Sequence, residues 1–193
     1  MNTLDFLSID KAEHSGPFQP VLKSPMHRRL AEAGAVFEER DGWLVATHVP
    51  GQDRYRIAIR DVTASYRVEE GDGSLDIEFG DGEHGVRPST GKGQTLVACY
   101  RGGAGAAREG FLDTSAAWGA IEVDGPGAST VMRRLTELDL DDLPVLGALA
   151  HVRALVARPG DECYLIVIPQ EYGHYVWEAV VDAAHPLGGG PST

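Results

Sequence analysis

The sequence is poor in the groups that build metal sites and disulfides. It has only two cysteines, Cys99 and Cys163, without a CxxC pattern, and its seven histidines show no HxH, HxxxH or HExxH spacing. Those spacings bring several ligands onto one turn or one helix face, so their absence argues against the common zinc motifs. Both cysteines follow or begin apolar runs, LVA and CYLIVI, which predicts buried thiols. We expect no metal site.

Long hydrophobic runs and an excess of basic charge are also missing. No run approaches the roughly 20 apolar residues of a membrane span, and the start, MNTLDFLSID, lacks the basic head and apolar segment of a signal peptide. The formal net charge is -12 at pH 7. Because such a surface repels phosphate backbones and anionic lipids, we expect a soluble cytoplasmic protein that binds neither nucleic acid nor a membrane.

The glycine-rich stretches do not match nucleotide-binding patterns. In GVRPSTGKG, Gly85 and Gly91 are separated by five residues where the Walker pattern needs four, and Gly93 replaces the required hydroxyl residue. In GGAGAAREG, Arg108 occupies the third glycine position of the dinucleotide fingerprint. Ser115 has no nucleophile elbow. We therefore expect no catalytic residue on this chain and no flavin or nicotinamide site.

Turn residues, by contrast, are abundant, with 24 glycines and 11 prolines. They favour a strand-rich or mixed fold over a helical bundle. WLVATHV, YRIAIR, LDIEF and CYLIVI predict strands, Asp41-Gly42 predicts a two-residue hairpin turn, and GDGEHGVRPSTGKG is expected to be a polar loop. Helices are predicted after Ser24, which we expect to cap the first of them, over 127–138 and after Pro169. The sequence therefore predicts an α+β fold whose strands are mostly antiparallel.

Two stretches of the chain carry nearly the same pattern, an aspartate, a hydroxyl residue two positions later and an aromatic residue that opens a strand. The first stretch is IRDVTASYRVEEGDG and the second is FLDTSAAWGAIEVDG. The matching residues are Asp61 and Asp113, Thr63 and Ser115, Tyr66 and Trp118. This repetition predicts two related β-rich half-units with helices, a degenerate duplication.

The division of the chain follows from this repetition and from its proline- and glycine-rich segments. Residues 1–22, which include most of the proline-containing segment HSGPFQPVLKSP (14–25), are predicted to form an extended arm. Residues 23–186 are predicted to form a single domain of two half-units, at about 24–100 and 110–186, joined by the glycine cluster GGAG. The glycine-rich end, 187–193, is predicted to be a disordered tail.

Three blocks carry a resemblance to a known family: SPMHRRLAEAGAVFEERDGWLV, FLDTSAAWGAIEVDGPGASTVMRRL and ALAHVRALVARPGDECYLIVIPQEYGHYVWEAVVDAA. In this order they resemble the folate-binding family that contains the T-protein of the glycine cleavage system and the α and γ subunits of heterotetrameric sarcosine oxidase. The last block is similar to the end of the γ subunit. The family has a single aspartate line; the opening block pairs with Asp61 and the closing block with Asp113, so both are candidates for it.

The resemblance implies a T-protein-like fold, but two family features differ. The T-protein carries its catalytic aspartate in a Gly-Gly-Val/Ile-x-Asp-Asp loop, whereas Gly102-Gly103 is followed here by Ala-Gly-Ala-Ala. The family's pterin-binding glutamate lies in a Thr-Gly-Glu turn, and the comparable turn here is Pro159-Gly160-Asp161. A carboxylate can accept two parallel hydrogen bonds from the amino-pyrimidine edge of a pterin. Asp161 is thus the one folate-binding candidate, although its position alone is typical of a turn aspartate.

The function that the resemblance implies is that of a non-catalytic, γ-like subunit in a sarcosine-oxidase-like, flavin-dependent amine-oxidising complex. Such a subunit would support assembly and the one-carbon or folate cavity, with larger flavoprotein subunits as partners. Flavin and NAD are then expected on the partner subunits, and tetrahydrofolate is the only cofactor implied for this chain. Two alternatives stay open: a small tetrahydrofolate-dependent aminomethyl or methyl transferase that uses Asp161, and a stand-alone binding module.

Overall fold

The computed structural model describes residues 21–72, 83–86, 95–101 and 109–193. Most of the predicted arm, the Gly-Lys-Gly loop and the glycine connector lie outside the described residues, as does the predicted strand LDIEF. The described residues form 13 strands, three helices and several short 3-10 turns. The strands are β1 (Leu22–Lys23), β2 (Val36–Arg40), β3 (Trp43–His48), β4 (Ile57–Asp61), β5 (Tyr66–Asp72), β6 (Glu83–Val86), β7 (Thr95–Arg101), β8 (Phe111–Asp113), β9 (Trp118–Asp124), β10 (Val145–Leu149), β11 (Val152–Gly160), β12 (Cys163–Pro169) and β13 (Gly189–Ser192). The helices are α1 (His27–Glu32), α2 (Ala128–Leu135) and α3 (Gly173–Ala184).

The strands of the described ranges form three sheets. The largest has six strands in the order β10-β11-β12-β9-β4-β13, and it is antiparallel except where β13 runs parallel to β4. A four-stranded antiparallel sheet has the order β6-β7-β5-β8. A three-stranded sheet, β1-β3-β2, contains the hairpin predicted at Asp41-Gly42. Both turn residues have positive φ, 50° and 80°, as a type I′ turn requires.

The six-stranded sheet is buried on both faces. On one face Ile166 and Ile168 of β12 pack with the inner sides of α2 and α3, including the buried Trp177. On the other face Leu165 and Val167 of the same strand pack with residues of the four-stranded sheet. A strand covered on both faces has no polar side to show, which explains the uninterrupted apolar run CYLIVI. The sequence prediction of mixed sheets with few helices holds.

Three parts of the fold differ from the sequence expectations. The strand β6 lies within a segment expected to be a polar loop, and β10 had not been predicted as a strand. Cys99 is fully buried as expected, and burial raises the pKa of its thiol to about 12. Cys163 was expected to be buried but is only partly so, because it is the first residue of β12, next to the exposed hairpin turn.

The predicted disordered tail is the third and largest difference. Gly189–Ser192 form β13, which pairs with β4 and closes one edge of the six-stranded sheet. Gly189 and Gly190 are buried. A Cβ atom on Gly189 would lie 2.7 Å from the Cβ atom of Ala184 at the end of α3. The glycines that suggested fraying are therefore the residues that let this strand approach the helix.

Within the described ranges, none of the helices is long enough and apolar enough to cross a membrane.

The close approach of β13 to α3 predicts that Gly189→Ala destabilises the protein by about 1–3 kcal/mol, because the added methyl group forces the strand away from Ala184. The free energy of unfolding in urea measures this. Gly160→Ala is the matched control, since its new Cβ atom would meet nothing closer than 3.5 Å, and its effect should stay within about 0.5 kcal/mol. Equal stability of both variants would show that residues 189–192 do not pack as a strand.

Candidate functional site

The repeated sequence pattern is a repeated local structure. Asp61 Oδ1 accepts hydrogen bonds from the backbone N–H of Thr63 at 3.1 Å and from its hydroxyl at 2.7 Å. Asp113 Oδ1 accepts the same pair from Ser115, at 3.0 Å and 2.7 Å. Each turn carries the chain from one sheet to the other, from β4 into β5 and from β8 into β9. We refer to these as the two aspartate turns.

Each aspartate turn accepts a hydrogen bond from the strand that follows the other turn. Thr63 Oγ1 accepts from the backbone N–H of Ala120 in β9 at 3.1 Å. Ser115 Oγ accepts from the backbone N–H of Val68 in β5 at 2.9 Å. In each case the hydroxyl hydrogen is directed at an aspartate and an oxygen lone pair is directed at an amide. Neither hydroxyl is therefore disposed as a nucleophile, and their role in this geometry is to join the two sheets.

Strand pairing repeats the same relation. Asp61 pairs with Ile121 in the β4–β9 ladder, and Asp113 pairs with Glu69 in the β8–β5 ladder. Asp113 lies 52 residues after Asp61, and Ile121 lies 52 residues after Glu69. If each residue of one pair is replaced by its counterpart 52 positions away, the other pair results. This is the arrangement expected around a local pseudo-twofold axis.

The two equivalent aspartates differ in environment. Asp61 is partly buried, and burial raises its pKa, although hydrogen bonds from Ser24 and Thr63 and the nearby His27 act in the opposite direction. For Asp113, burial also acts to raise the pKa, but the hydrogen bonds from Ser115 and the charge of Arg67 outweigh it and lower the pKa. The asymmetry arises because only the first turn is covered by the segment that precedes α1.

Ser24 supplies that cover. Its hydroxyl donates to Asp61 Oδ2, and its Oγ accepts from the backbone N–H of Met26 at 3.2 Å. The sequence predicted that Ser24 caps the first helix. The residue that precedes α1 is instead Met26, and no side-chain cap bond is made there. The hydroxyl thus donates a charge-assisted bond to the carboxylate while its oxygen accepts from the backbone, and Ser24 connects the segment before α1 to the first aspartate turn.

A buried ion pair lies beside the second aspartate turn. Arg67 contacts Glu69 Oε1 at 3.0 Å and Asp113 Oδ2 at 3.0 Å. Arg67 is 7 % exposed and Glu69 is 0 % exposed. Removing one partner of such a pair leaves an uncompensated buried charge, which is far more costly than removing both. We assign this group to the framework of the four-stranded sheet.

A second group of charges lies along β4 and β9. One guanidinium nitrogen of Arg60 contacts Glu122 Oε1 at 3.0 Å and Asp124 Oδ2 at 2.8 Å. Glu122 is buried and Asp124 is partly exposed. No sequence motif marked these residues. The alternation in YRIAIR and AIEVD does place polar residues on one side of each strand. Which of them meet depends on the β4–β9 register, which the alternation does not give.

These two carboxylates line a cleft of about 610 Å3 between the six-stranded and four-stranded sheets. Burial lowers the pKa of His84, which projects from β6 into the same cleft wall. The cleft thus combines two acids held by Arg60 with an imidazole disfavoured in its charged form. The lining residues are Tyr66, His84, Glu122, Asp124, Arg158, Pro159, Gly160 and Cys163.

Asp161, the candidate predicted from sequence, lies at the exposed turn between β11 and β12. Its backbone oxygen accepts hydrogen bonds from the Arg158 guanidinium at 3.3 Å and 2.7 Å. Its neighbours Pro159 and Gly160 line the cleft, whereas Asp161 does not. The structure thus brings the predicted turn to the cleft while leaving its carboxylate outside.

This geometry fits a pterin poorly. Recognition of the amino-pyrimidine edge needs a carboxylate that faces the cleft and can accept two parallel hydrogen bonds. Glu122 and Asp124 face the cleft, but both accept from Arg60. Asp161 has a carboxylate, but it lies on the exposed turn and does not line the cleft.

The residues that the structure describes contain no group of three His, Cys, Asp or Glu side chains arranged to hold a metal ion.

The sheets, helices and aspartate turns define a T-protein-like α+β fold, the one that the sequence resemblance implied. A chain of the heterotetrameric sarcosine oxidase from Corynebacterium sp. U-96, in complex with pyrrole 2-carboxylate, is similar with a TM-score of 0.55 and 16% identity; the match covers 86% of this chain and 95% of that one. The glycine cleavage system aminomethyltransferase T from Bartonella henselae is similar with a TM-score of 0.59 and 12% identity, over 89% of this chain and 59% of that one. No protein-family model and no curated protein matches the sequence.

The contrast between the aspartate turns predicts opposite pH dependences. Because the native pKa of Asp61 is raised above its usual 3.8, its contribution to stability is largest below about pH 3.8 and is lost as pH rises through the native pKa. Because the native pKa of Asp113 is lowered below 3.8, its contribution is present above about pH 3.8 and is lost as pH falls through the native pKa.

The variants Asp61→Asn and Asp113→Asn, unfolded in urea from about pH 3 to about pH 7, separate these effects. Relative to the unmodified protein, the unfolding free energy of Asp61→Asn should rise with pH above about 3.8. That of Asp113→Asn should fall as pH rises toward about 3.8. Parallel pH profiles for the two variants would show that the turns are electrostatically alike.

Proposed function

We propose that this chain is a non-catalytic, γ-like subunit of a heterotetrameric sarcosine-oxidase-like, flavin-dependent amine-oxidising complex. The observation that carries the proposal is the extent of the structural match, which covers 95% of a chain of a heterotetrameric sarcosine oxidase but 59% of an aminomethyltransferase T chain. The chain therefore resembles a component of the oxidase in size as well as in fold. Its work is to support assembly and to shape a cavity for the one-carbon product.

The site geometry supports a structural role. The hydroxyls of Thr63 and Ser115 are used to join the sheets, and the carboxylates of Glu122 and Asp124 accept from Arg60. These contacts hold two β-rich parts of the chain together, which fits the proposed duplication into two half-units. In this proposal the flavin, the NAD and the amine chemistry reside on larger partner subunits.

Purification from the source cells tests the proposal. An affinity-tagged copy of the chain, expressed from its own locus, should copurify with a larger chain that carries flavin absorbance, in a fixed ratio by native mass spectrometry. A soluble tagged protein of unrelated fold, expressed at the same level, serves as the control and should bring down no flavoprotein. Recovery of the chain as a free monomer, without any flavoprotein, would contradict the proposal.

A second candidate function is supported by the match to aminomethyltransferase T over 89% of this chain. In this alternative the chain is a small tetrahydrofolate-dependent aminomethyl or methyl transferase, and Asp161 holds the pterin. The position of Asp161 on an exposed turn is the reason that we place this function second.

Titration of the purified chain with tetrahydrofolate distinguishes the two functions. The leading proposal predicts no saturable binding in the micromolar range and no difference between the unmodified chain and Asp161→Ala. Micromolar binding that is lost in Asp161→Ala, but kept in the control Asp182→Ala, would instead establish the transferase alternative. Asp182 is a suitable control because it is an exposed aspartate on α3, away from the β11–β12 turn.

A further inference from the structure

A second cleft, of about 740 Å3, opens on the side of the molecule that carries the helices. It is bounded by the end of α2, the segment that follows it, the turn between β10 and β11, and one residue of α3. It shares no lining residue with the cleft beside Asp161. Its lining residues are Arg133, Arg134, Leu135, Thr136, Glu137, Leu138, Ala148, Ala150, His151 and Tyr175.

The charged residues of this cleft are mainly basic, although the chain as a whole is acidic. The formal net charge of the protein is -12, yet the cleft is lined by Arg133, Arg134 and His151 with a single acid, Glu137. Arg134 donates to the backbone oxygen of Ala183 at 2.9 Å, which fixes it against the end of α3. The exposed Arg133 guanidinium projects beside it. A locally basic cleft on an acidic protein attracts a ligand of negative charge.

The same cleft presents an aromatic surface. The Tyr175 side chain is 47 % exposed although it belongs to a helix whose other side is buried. Tyrosine and arginine are the residues most enriched at the energetically important centres of protein–protein interfaces. Their combination here favours a peptide segment as ligand over a simple anion.

The wall that carries His151 is held in a fixed position. Ala150 and His151 form the two-residue turn between β10 and β11, and both have positive φ, 46° and 66°. The turn at Asp41-Gly42 has the same geometry with a favoured sequence. The backbone N–H of Ala150 donates to the oxygen of Leu135 at 2.7 Å, so the turn is tied to the end of α2. The imidazole and the arginines therefore stand on connected, ordered elements.

We propose that this cleft is the docking site for an acidic segment of a partner protein chain. Carboxylates of that segment face Arg133 and His151, and an apolar side chain packs against Tyr175. That the partner is another subunit of the complex rests on the proposed function, whereas recognition of an acidic segment rests on the cleft alone.

Peptide binding tests the cleft directly. The probe is a synthetic peptide of about eight residues with alternating glutamate and leucine, and its counterpart has glutamine at each glutamate. The glutamate peptide should bind at least about tenfold more tightly than the glutamine peptide, and its binding should weaken as salt is raised. Equal affinity for the two peptides, or no binding of the glutamate peptide at millimolar concentration, would overturn the proposal.

Surface variants locate the binding. Arg133→Glu and Tyr175→Ala should each weaken binding of the glutamate peptide about tenfold or more. Lys23→Glu makes the same change of charge on exposed β1, outside the cleft, and should leave the affinity within about twofold. Circular dichroism confirms that each variant is folded. A loss of similar size in Lys23→Glu would show that only the total charge matters, against the proposal.

The same variants separate this inference from the proposed function. If the flavoprotein complex forms and Arg133→Glu assembles as well as the unmodified chain, the partner in the cleft is not a subunit of that complex, while the proposed function stands. If the glutamate peptide binds in the cleft but no flavoprotein copurifies with the chain, the docking site stands and the proposed function fails.

Discussion

Two hydroxyl groups hold this fold together at its centre. The hydroxyls of Thr63 and Ser115 each donate a hydrogen bond to the aspartate of their own turn. Each hydroxyl oxygen also accepts from a backbone N–H of the strand that follows the other turn, so the two turns depend on each other. Hydrogen bonds of this kind contribute about 1 kcal/mol each when both partners are present, and leaving a buried amide without its acceptor costs more. Together with the apolar cluster that includes Val68, Leu165 and Val167, this reciprocal contact joins the four-stranded sheet to the six-stranded sheet.

Polar side chains of the described strands are largely paired with one another. Along β4 and β9 the polar side chains are used to neutralise one another, with Arg60 between Glu122 and Asp124. Along β5 the buried Arg67 does the same for Glu69. Charges that are removed from water need such partners. Among the described residues, a local surplus of positive charge lies on the helical side, next to the exposed Tyr175.

Features set by local chemistry could be predicted from the sequence. The turn at Asp41-Gly42 was predictable because positive φ at two positions is best met by aspartate and glycine. The repeated aspartate pattern was predictable because an aspartate and a hydroxyl two residues apart make the same turn wherever they occur. The T-protein-like α+β fold was implied by the resemblance of three sequence blocks to a known family.

Features set by distant pairing could not be predicted. Whether Glu122 meets Arg60 depends on a strand register between residues far apart in sequence. The strand β13 has no hydrophobic periodicity. Gly189 fits there because it has no side chain that would clash with its neighbours. Asp161 was chosen for its turn, but whether a turn residue faces a cleft or the solvent is decided by the strands on either side. Hydrophobic periodicity indicates which face of a single helix or strand is buried, whereas these features depend on how two elements pair.

The parallel pairing of β13 with β4 also has a consequence for biosynthesis. β4 lies between β9 and β13, so both of its neighbours in the sheet are made after it, and β13 is made long after β9. Contacts over such separations form slowly, since a long loop must close first. The nascent chain therefore leaves the ribosome with an apolar strand whose two edges are open, and chaperone protection at that stage is the expected requirement.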